Sequence, residues 1–142
     1  FDALGQYTYT FGSIGFERKS EFLWAVFENS INEMNEISKK NGTKFVFLIT
    51  PISLLVDHHN HINHTNLSLE CGTIDAHKRL TKFLIENNIN YIDPLDNFNT
   101  FAQSSFDEKN QHNLFHNFDT NHPNKNGSYL IALSILEYFS KK

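Results

Sequence analysis

The sequence predicts one α/β domain with a three-layer α/β/α architecture and a parallel sheet, and three observations support this. Helical and strand-like apolar patterns alternate along the chain, which is the order of βαβ units. The run Lys44-Phe-Val-Phe-Leu-Ile-Thr-Pro51 is apolar without alternation, as in strands buried on both faces of a parallel sheet. No linker or internal repeat divides residues 1–142, so we expect a single domain.

The first expected elements are a short alternating piece within 1–17 (edge strand or loop), a helix from about Ser20 to Lys40, a strand over 44–51 and a polar loop over 52–72. A helix from Thr73 to Asn87 and a strand from Ile89 to Ile92 follow. The stretch 97–118 is expected to be mostly irregular, with a helical turn near Phe98 to Gln103, before a last helix from about Asn124 to Ser140. Apolar residues at helical spacing predict each helix, and Gly42 and Asn88 are suitable ends. Only two strands are clear, whereas a sheet usually has about five or six. We therefore expect the C-terminal portion of an α/β domain.

Composition excludes several classes of function. With 39% hydrophobic and 20% charged residues, the chain is typical of globular proteins. The formal net charge of -4 argues against a nucleic-acid partner. The single cysteine, Cys71, excludes an internal disulfide, and the longest apolar run is too short to span a bilayer. Compartment (cell envelope, secreted or cytoplasmic) and oligomeric state stay open.

The stretch Phe118-Asp-Thr-Asn-His-Pro-Asn-Lys-Asn-Gly127 is the candidate catalytic segment. A carboxylate at Asp119, on one tight turn with His122, can hold one imidazole nitrogen so that the other accepts a proton from a serine hydroxyl. Pro123 and a capping Asn121 or Asn124 predict that a helix begins here, and the positive end of its dipole disfavours a charged imidazole.

This D-x-x-H-P-N-x-x-G block, followed by an apolar helix near a chain end, resembles the last conserved block of the SGNH (GDSL-type) hydrolases. The upstream order of a helix, an apolar strand ending at Pro51, a helix and a short strand ending at Asp93 is similar as well. The resemblance covers most of residues 20–140, and its specific part is the final block. It implies a flavodoxin-like sheet, a cofactor-free esterase or acyltransferase acting on a small-molecule or carbohydrate acyl ester, His122 as general base and Asp119 as its orienting acid.

The chain departs from that family at the nucleophile. It contains no Gly-Asp-Ser motif, and the oxyanion-hole Gly and Asn of the family have no clear match. Ser13, in Phe11-Gly-Ser-Ile-Gly15, is the serine with the most nucleophile-like setting, but a glycine-rich turn is the favoured interpretation. We expect the nucleophile upstream of Phe1 and no activity from this chain alone.

Other candidate residues have simpler interpretations. The histidines of the 52–72 loop, with Asp57, could bind a metal such as zinc. Their spacing matches no closed structural metal site, so a solvated loop is the favoured interpretation and no bound metal is expected. Asp93 is expected to cap a turn, and Cys71 to pack just before a helix, where its thiol pKa could be depressed. The remaining histidines are expected in the helix (His77) and in a surface loop (His112 and His116). The loop histidines are His58, His59, His61 and His64.

Two alternatives to the serine hydrolase follow from these departures. One is a non-catalytic binding module that kept the fold and lost its serine. The other is a metal-dependent hydrolase that uses the His58–His64 loop.

Overall fold

The computed structural model describes residues 17–56, 67–104, 114–116 and 119–141, and over these the chain is mixed α/β and mostly helical. The helices are α1 (Glu17–Lys40), the short α2 (Ser53–Val56), α3 (Leu67–Glu86), α4 (Leu95–Ser104) and α5 (Lys125–Ser140). The strands are β1 (Phe47–Leu48), β2 (Tyr91–Ile92), β3 (Phe115–His116) and β4 (Asp119–Pro123). The chain divides into two compact units, one of residues 1–47 and 64–91 and one of residues 48–63 and 92–142.

Helices α1 and α3 end as the sequence predicts. Gly42 adopts a left-handed φ of 64°, and the amides of Gly42 and Thr43 donate to the carbonyls of Lys39 and Ser38 at 3.1 and 2.9 Å. This pair of bonds is a Schellman motif, which satisfies carbonyls that the helix leaves free. Asn88, with φ 51°, ends α3 in the same way, because asparagine tolerates this conformation better than most residues.

The first unit has a core of apolar side chains from α1, α3 and the segment before β2. Ile31, Leu84 and Ile89 are buried, and Trp24 is buried beside Phe27 at 5.8 Å between ring centroids. The Arg79 guanidinium lies 4.7 Å from the centre of the Trp24 ring. The cation therefore caps the aromatic group from α3 while its charge stays near solvent.

The same arginine binds two carboxylates of α1. Its Nη1 donates to Glu21 at 2.6 Å and its Nε to Glu28 at 3.1 Å. Arg79, mainly by its hydrogen bond, lowers the pKa of the Glu21 carboxyl below its usual value. These contacts hold α1 and α3 in one register.

β1 and β2 form a two-stranded sheet. The Phe47 amide donates to Asn90 O at 2.8 Å, and the Ile49 amide donates to Ile92 O at 2.9 Å. Both partners advance by two residues in the same direction, which is the pattern of parallel pairing. The predicted order of strands is thus present, but both strands are shorter than expected. Leu48 is 39% exposed, so burial on both faces is not observed.

The second unit packs α4 and α5 against α2 and a β-hairpin. Phe98 and Leu114 are completely buried, and Phe115 lies 5.8 Å from Phe98 between ring centroids. The buried residues of this core are Val56, Phe98, Ala102, Leu114, Phe115 and Leu130. Across it, the Asn97 side chain donates to the Ser134 hydroxyl at 2.7 Å, and that hydroxyl donates to the Leu130 carbonyl. The buried Ser134 hydroxyl is therefore satisfied as both acceptor and donor.

Two stretches differ from their prediction. The loop expected over 52–72 contains α2, and α3 begins within it at Leu67. The stretch 97–118, expected to be mostly irregular, contains most of α4 and all of β3. The loop and irregular expectations failed because both stretches are rich in Asn, Ser and His, whereas burial of a few apolar residues such as Phe98 and Leu114 outweighs that local preference.

Candidate functional site

The hairpin of β3 and β4 leads directly into α5 and carries the predicted catalytic segment. The strands are antiparallel, with Phe115 opposite Pro123 and His116 opposite Asp119. β4 therefore advances four residues where β3 advances one, and residues 120–122 form a bulge. The segment was expected to be a tight turn, and it is instead an extended, bulged strand.

The bulge matters for Asp119 and His122 because of their spacing. In a regular strand, residues three apart point to opposite faces of the sheet. A bulge breaks this alternation, and bulges are common beside active sites, where they redirect side chains. The regular alternation of a strand therefore does not apply between residues 119 and 122.

Asn124 joins the end of β4 to the start of α5. Its side-chain oxygen accepts from the amides of Asn126 and Gly127, at 2.8 and 3.3 Å, which is an N-cap. Its amide nitrogen Nδ2 donates to Phe115 O at 3.0 Å, and its backbone amide donates to Leu114 O at 2.9 Å. One asparagine thus connects the helix N-terminus to β3. Of the two caps that the sequence allowed, Asn121 and Asn124, the structure uses Asn124.

Gly127 allows the first turn of α5 to lie directly on the hairpin. A Cβ atom at this position would clash with the Leu114 carbonyl oxygen and would lie 2.7 Å from the Cβ of Pro123. Gly127 itself is buried. Only glycine lets these backbones approach so closely without a shift of one of them.

His122 lies in the bulge, two residues before the cap, and its side chain is exposed. It is therefore not enclosed by the aromatic core, and an imidazole in this position can contact a solute. The side chain of Asp119 lies outside the described residues, so the predicted hydrogen bond between its carboxylate and Nδ1 of His122 stays a prediction.

The structure describes the backbone of four of the other candidate residues. Asp93 does cap a turn, since its Oδ1 accepts from the Leu95 amide at 3.1 Å ahead of α4. Cys71 lies within α3, not before a helix, so the argument for a depressed thiol pKa at a helix start does not hold. His77 is half-buried in α3, and His116 is exposed in β3. The residues that lie outside the described part of the chain are Ser13, Asp57, His58, His59, His61, His64 and His112.

The described ranges contain no group of three or more His, Cys, Asp or Glu side chains that could hold a metal ion. They also contain no helix long and apolar enough to cross a membrane. The metal hypothesis for the His58–His64 loop concerns residues outside those ranges.

The sequence did not indicate the pairing of His116 with Asp119 or the second role of Asn124 at β3. Both depend on the hairpin register, and β3 has only two residues, too few for an apolar alternation to be visible. Comparisons of this chain with protein families, with curated proteins and with solved structures identify no match.

Proposed function

We propose that this chain carries the general base and the orienting acid of an SGNH-type ester hydrolase or O-acyltransferase. His122 is the base and Asp119 is the acid that orients it. The observation that most supports the proposal is the exposed imidazole of His122 in β4. The residue after this strand, Asn124, forms hydrogen bonds to β3 and to the first turn of α5, so the backbone that carries His122 is anchored at its end. An exposed histidine on such an anchored backbone fits a proton-transfer role, because a general base must keep its position while it contacts substrate.

The proposed reaction proceeds through an acyl-enzyme. His122 accepts the proton of a serine hydroxyl as the serine oxygen attacks the ester carbonyl. The alcohol then leaves with that proton, and the serine stays acylated. Water releases a carboxylic acid in a hydrolase, and a second alcohol such as a sugar hydroxyl takes the acyl group in a transferase. Asp119 stabilises the imidazolium in both halves of the reaction and does not itself become protonated.

We propose that the serine lies upstream of these residues in a Gly-Asp-Ser motif, as the family resemblance implies. The substrate class is an acyl ester of a small molecule or carbohydrate, and the chemistry requires no cofactor.

We propose that the architecture is a three-layer sandwich around a parallel sheet. The parallel pairing of β1 with β2 supports this, because parallel sheets are usually covered by helices on both faces. α1 has exposed apolar side chains, including Phe22 at 68% and Ile37 at 51%, and so does α5, including Leu136 at 65%. Such stripes are suited to packing against further sheet.

The test uses the full-length protein, a fluorophosphonate probe and nitrophenyl acetate. We expect the probe to acylate one serine irreversibly and mass spectrometry to map it to a Gly-Asp-Ser motif. His122→Ala should abolish labelling and lower kcat by several orders of magnitude, and Asp119→Asn should lower kcat by about 10⁴-fold.

The matched controls are His77→Ala and Asp75→Asn, which remove the same side chains from α3. Both should label and turn over as the wild type does, and circular dichroism should show that all four variants fold. A wild-type protein without any labelled serine would contradict the hydrolase and favour the non-catalytic module. Full activity in His122→Ala would exclude that residue as the base.

A further inference from the structure

The same short pattern, Lys-Asn-Gly followed by a hydroxyl residue, occurs twice in this chain. Lys40-Asn-Gly-Thr43 lies at the end of α1, and Lys125-Asn-Gly-Ser128 begins α5. An asparagine followed by glycine loses its side-chain amide readily, because glycine has no side chain to hinder attack by its own backbone nitrogen. Since the flanking residues match, a difference in reactivity between Asn41 and Asn126 in the folded protein comes from the structure.

The reaction exchanges the side-chain amide for water. The glycine nitrogen gives up its proton to hydroxide and attacks the side-chain carbonyl carbon of the asparagine, ammonia leaves, and a cyclic succinimide forms. Water then opens either carbonyl of this ring, so the product is aspartate or isoaspartate. Ring closure requires rotation of the asparagine backbone and release of the glycine amide from its hydrogen bond, so local opening of the chain controls the rate.

Asn41 lies in the exposed turn that ends α1. Its Nδ2 donates to Ile37 O at 2.8 Å, and the Gly42 amide donates to Lys39 O at 3.1 Å. These are the last bonds of a helix, and helix ends open at little cost in free energy. A Cβ built on Gly42 has no neighbour within 4 Å, so no packed group has to move when the turn opens.

Asn126 lies in the first turn of α5, where the glycine that follows it is packed. Gly127 is buried, and the Leu114 carbonyl and the Pro123 side chain lie directly against it. The amides of Asn126 and Gly127 both donate to Asn124 Oδ1, at 2.8 and 3.3 Å. Rotation of the backbone at Asn126 would break this N-cap and lift the helix from the hairpin, so the reaction requires a much larger opening here.

We propose that Asn41 is a site of spontaneous deamidation in the folded protein and that Asn126 is protected from it. The carboxylate formed at position 41 has no proton to donate to Ile37 O. It also places negative charge at the C-terminus of α1, where the helix dipole disfavours it, and the nearby Lys39 already pairs with Glu36 at 2.8 Å. Isoaspartate in addition lengthens the backbone by one carbon, which displaces the amides of the Schellman motif. Deamidation therefore weakens the last turn of α1.

The test compares the two asparagines in one sample. The full-length protein is incubated at mildly alkaline pH with and without urea, and mass spectrometry of its peptides measures the conversion of each amide to a carboxyl. We expect Asn41 to convert at least about tenfold faster than Asn126 in the folded protein, because its segment opens more easily. In urea, where both segments are unfolded, the two asparagines should convert at similar rates.

Asn41→Gln is the matched variant, because glutamine keeps an amide but must close a larger ring to react. This variant should lose the fast reaction and leave the rate at Asn126 unchanged. Equal rates at the two sites in the folded protein would overturn the protection of Asn126. Conversion of Asn41 in urea alone would overturn the site itself, and a rate difference of the same size in urea would show that packing is not its cause.

The effect on α1 is measured separately with Asn41→Asp, which reproduces one of the two products. This variant should unfold at a lower urea concentration than the wild type, and the amides of Gly42 and Thr43 should exchange faster with solvent. Asn41→Ala removes the donor to Ile37 without adding charge, so its unfolding midpoint should lie between those of the wild type and Asn41→Asp. An unchanged midpoint and unchanged exchange in Asn41→Asp would overturn the weakening of α1.

Discussion

Gly127→Ala tests whether the first turn of α5 is held against the hairpin as closely as the structure shows. Inside a helix, replacing glycine by alanine normally stabilises a protein, by about 1 kcal/mol. Here the new Cβ would overlap the Leu114 carbonyl oxygen and approach the Cβ of Pro123 to 2.7 Å. Neither neighbour is the end of a flexible side chain, so the backbone of one element must move.

The size of the effect follows from these opposing terms. Overpacking that forces a backbone shift costs about 1–3 kcal/mol. The Leu114 oxygen also accepts from the Asn124 amide at 2.9 Å, and weakening that bond costs about 1 kcal/mol more. After subtraction of the helix gain, we expect Gly127→Ala to lower the free energy of unfolding by about 1–3 kcal/mol.

The assay is urea unfolding followed by circular dichroism, with hydrogen exchange at the Asn124 amide as the local measurement. That amide should exchange faster in the variant because its acceptor moves. Gly42→Ala is the matched control, since Gly42 has a left-handed φ of 64° and no neighbour within 4 Å of a built Cβ. The Gly42→Ala variant should lose about 1–2 kcal/mol of unfolding free energy through backbone strain alone. Its Asn124 amide should exchange faster only to the extent that the lower global stability requires. A Gly127→Ala protein that is more stable than the wild type would refute the close approach.

Two further predictions concern the connections around the hairpin and in the first unit. Asn124→Ala removes the N-cap acceptor and the donor to Phe115, and should lower the free energy of unfolding by about 1–2 kcal/mol. Asn124→Asp keeps the acceptor and loses only the donor, so it should lose less than Asn124→Ala. Equal losses in the two variants would contradict the N-cap, and an Asn124→Asp protein as stable as the wild type would contradict the bond to Phe115. Because Arg79 lowers the pKa of Glu21, their pair stabilises the fold above the ordinary glutamate pKa of 4.5 and is lost as pH falls through the lowered value. The loss of stability in Arg79→Met, measured by urea unfolding, should therefore be smaller at about pH 3 than at about pH 6, and a difference independent of pH would exclude the pair.

The helices show how far apolar periodicity can predict this fold. It located α1, α3 and α5, and the residues with left-handed backbone, Gly42 and Asn88, were identified from their type alone. It did not identify which side of α1 is buried. Met34 and Ile37 continue the helical apolar spacing of Ile31, yet both are exposed, while Trp24 and Asn35 are buried. α1 has apolar residues around more than half of its circumference, so its pattern fits two orientations, and only tertiary packing selects one.

The hairpin shows why the site was predictable in part. The start of α5 and a capping asparagine, Asn121 or Asn124, follow from short-range rules about helix starts, and the structure confirms the start with Asn124 as the cap. The bulge in β4 and the pairing of His116 with Asp119 depend on a register that the buried side chains of Leu114 and Phe115 impose. A register is a property of two strands together and leaves little trace in either one when the strands are this short. The proposed acid and base could therefore be chosen from the sequence, whereas the pairing of their strand with β3 could be seen only in the fold.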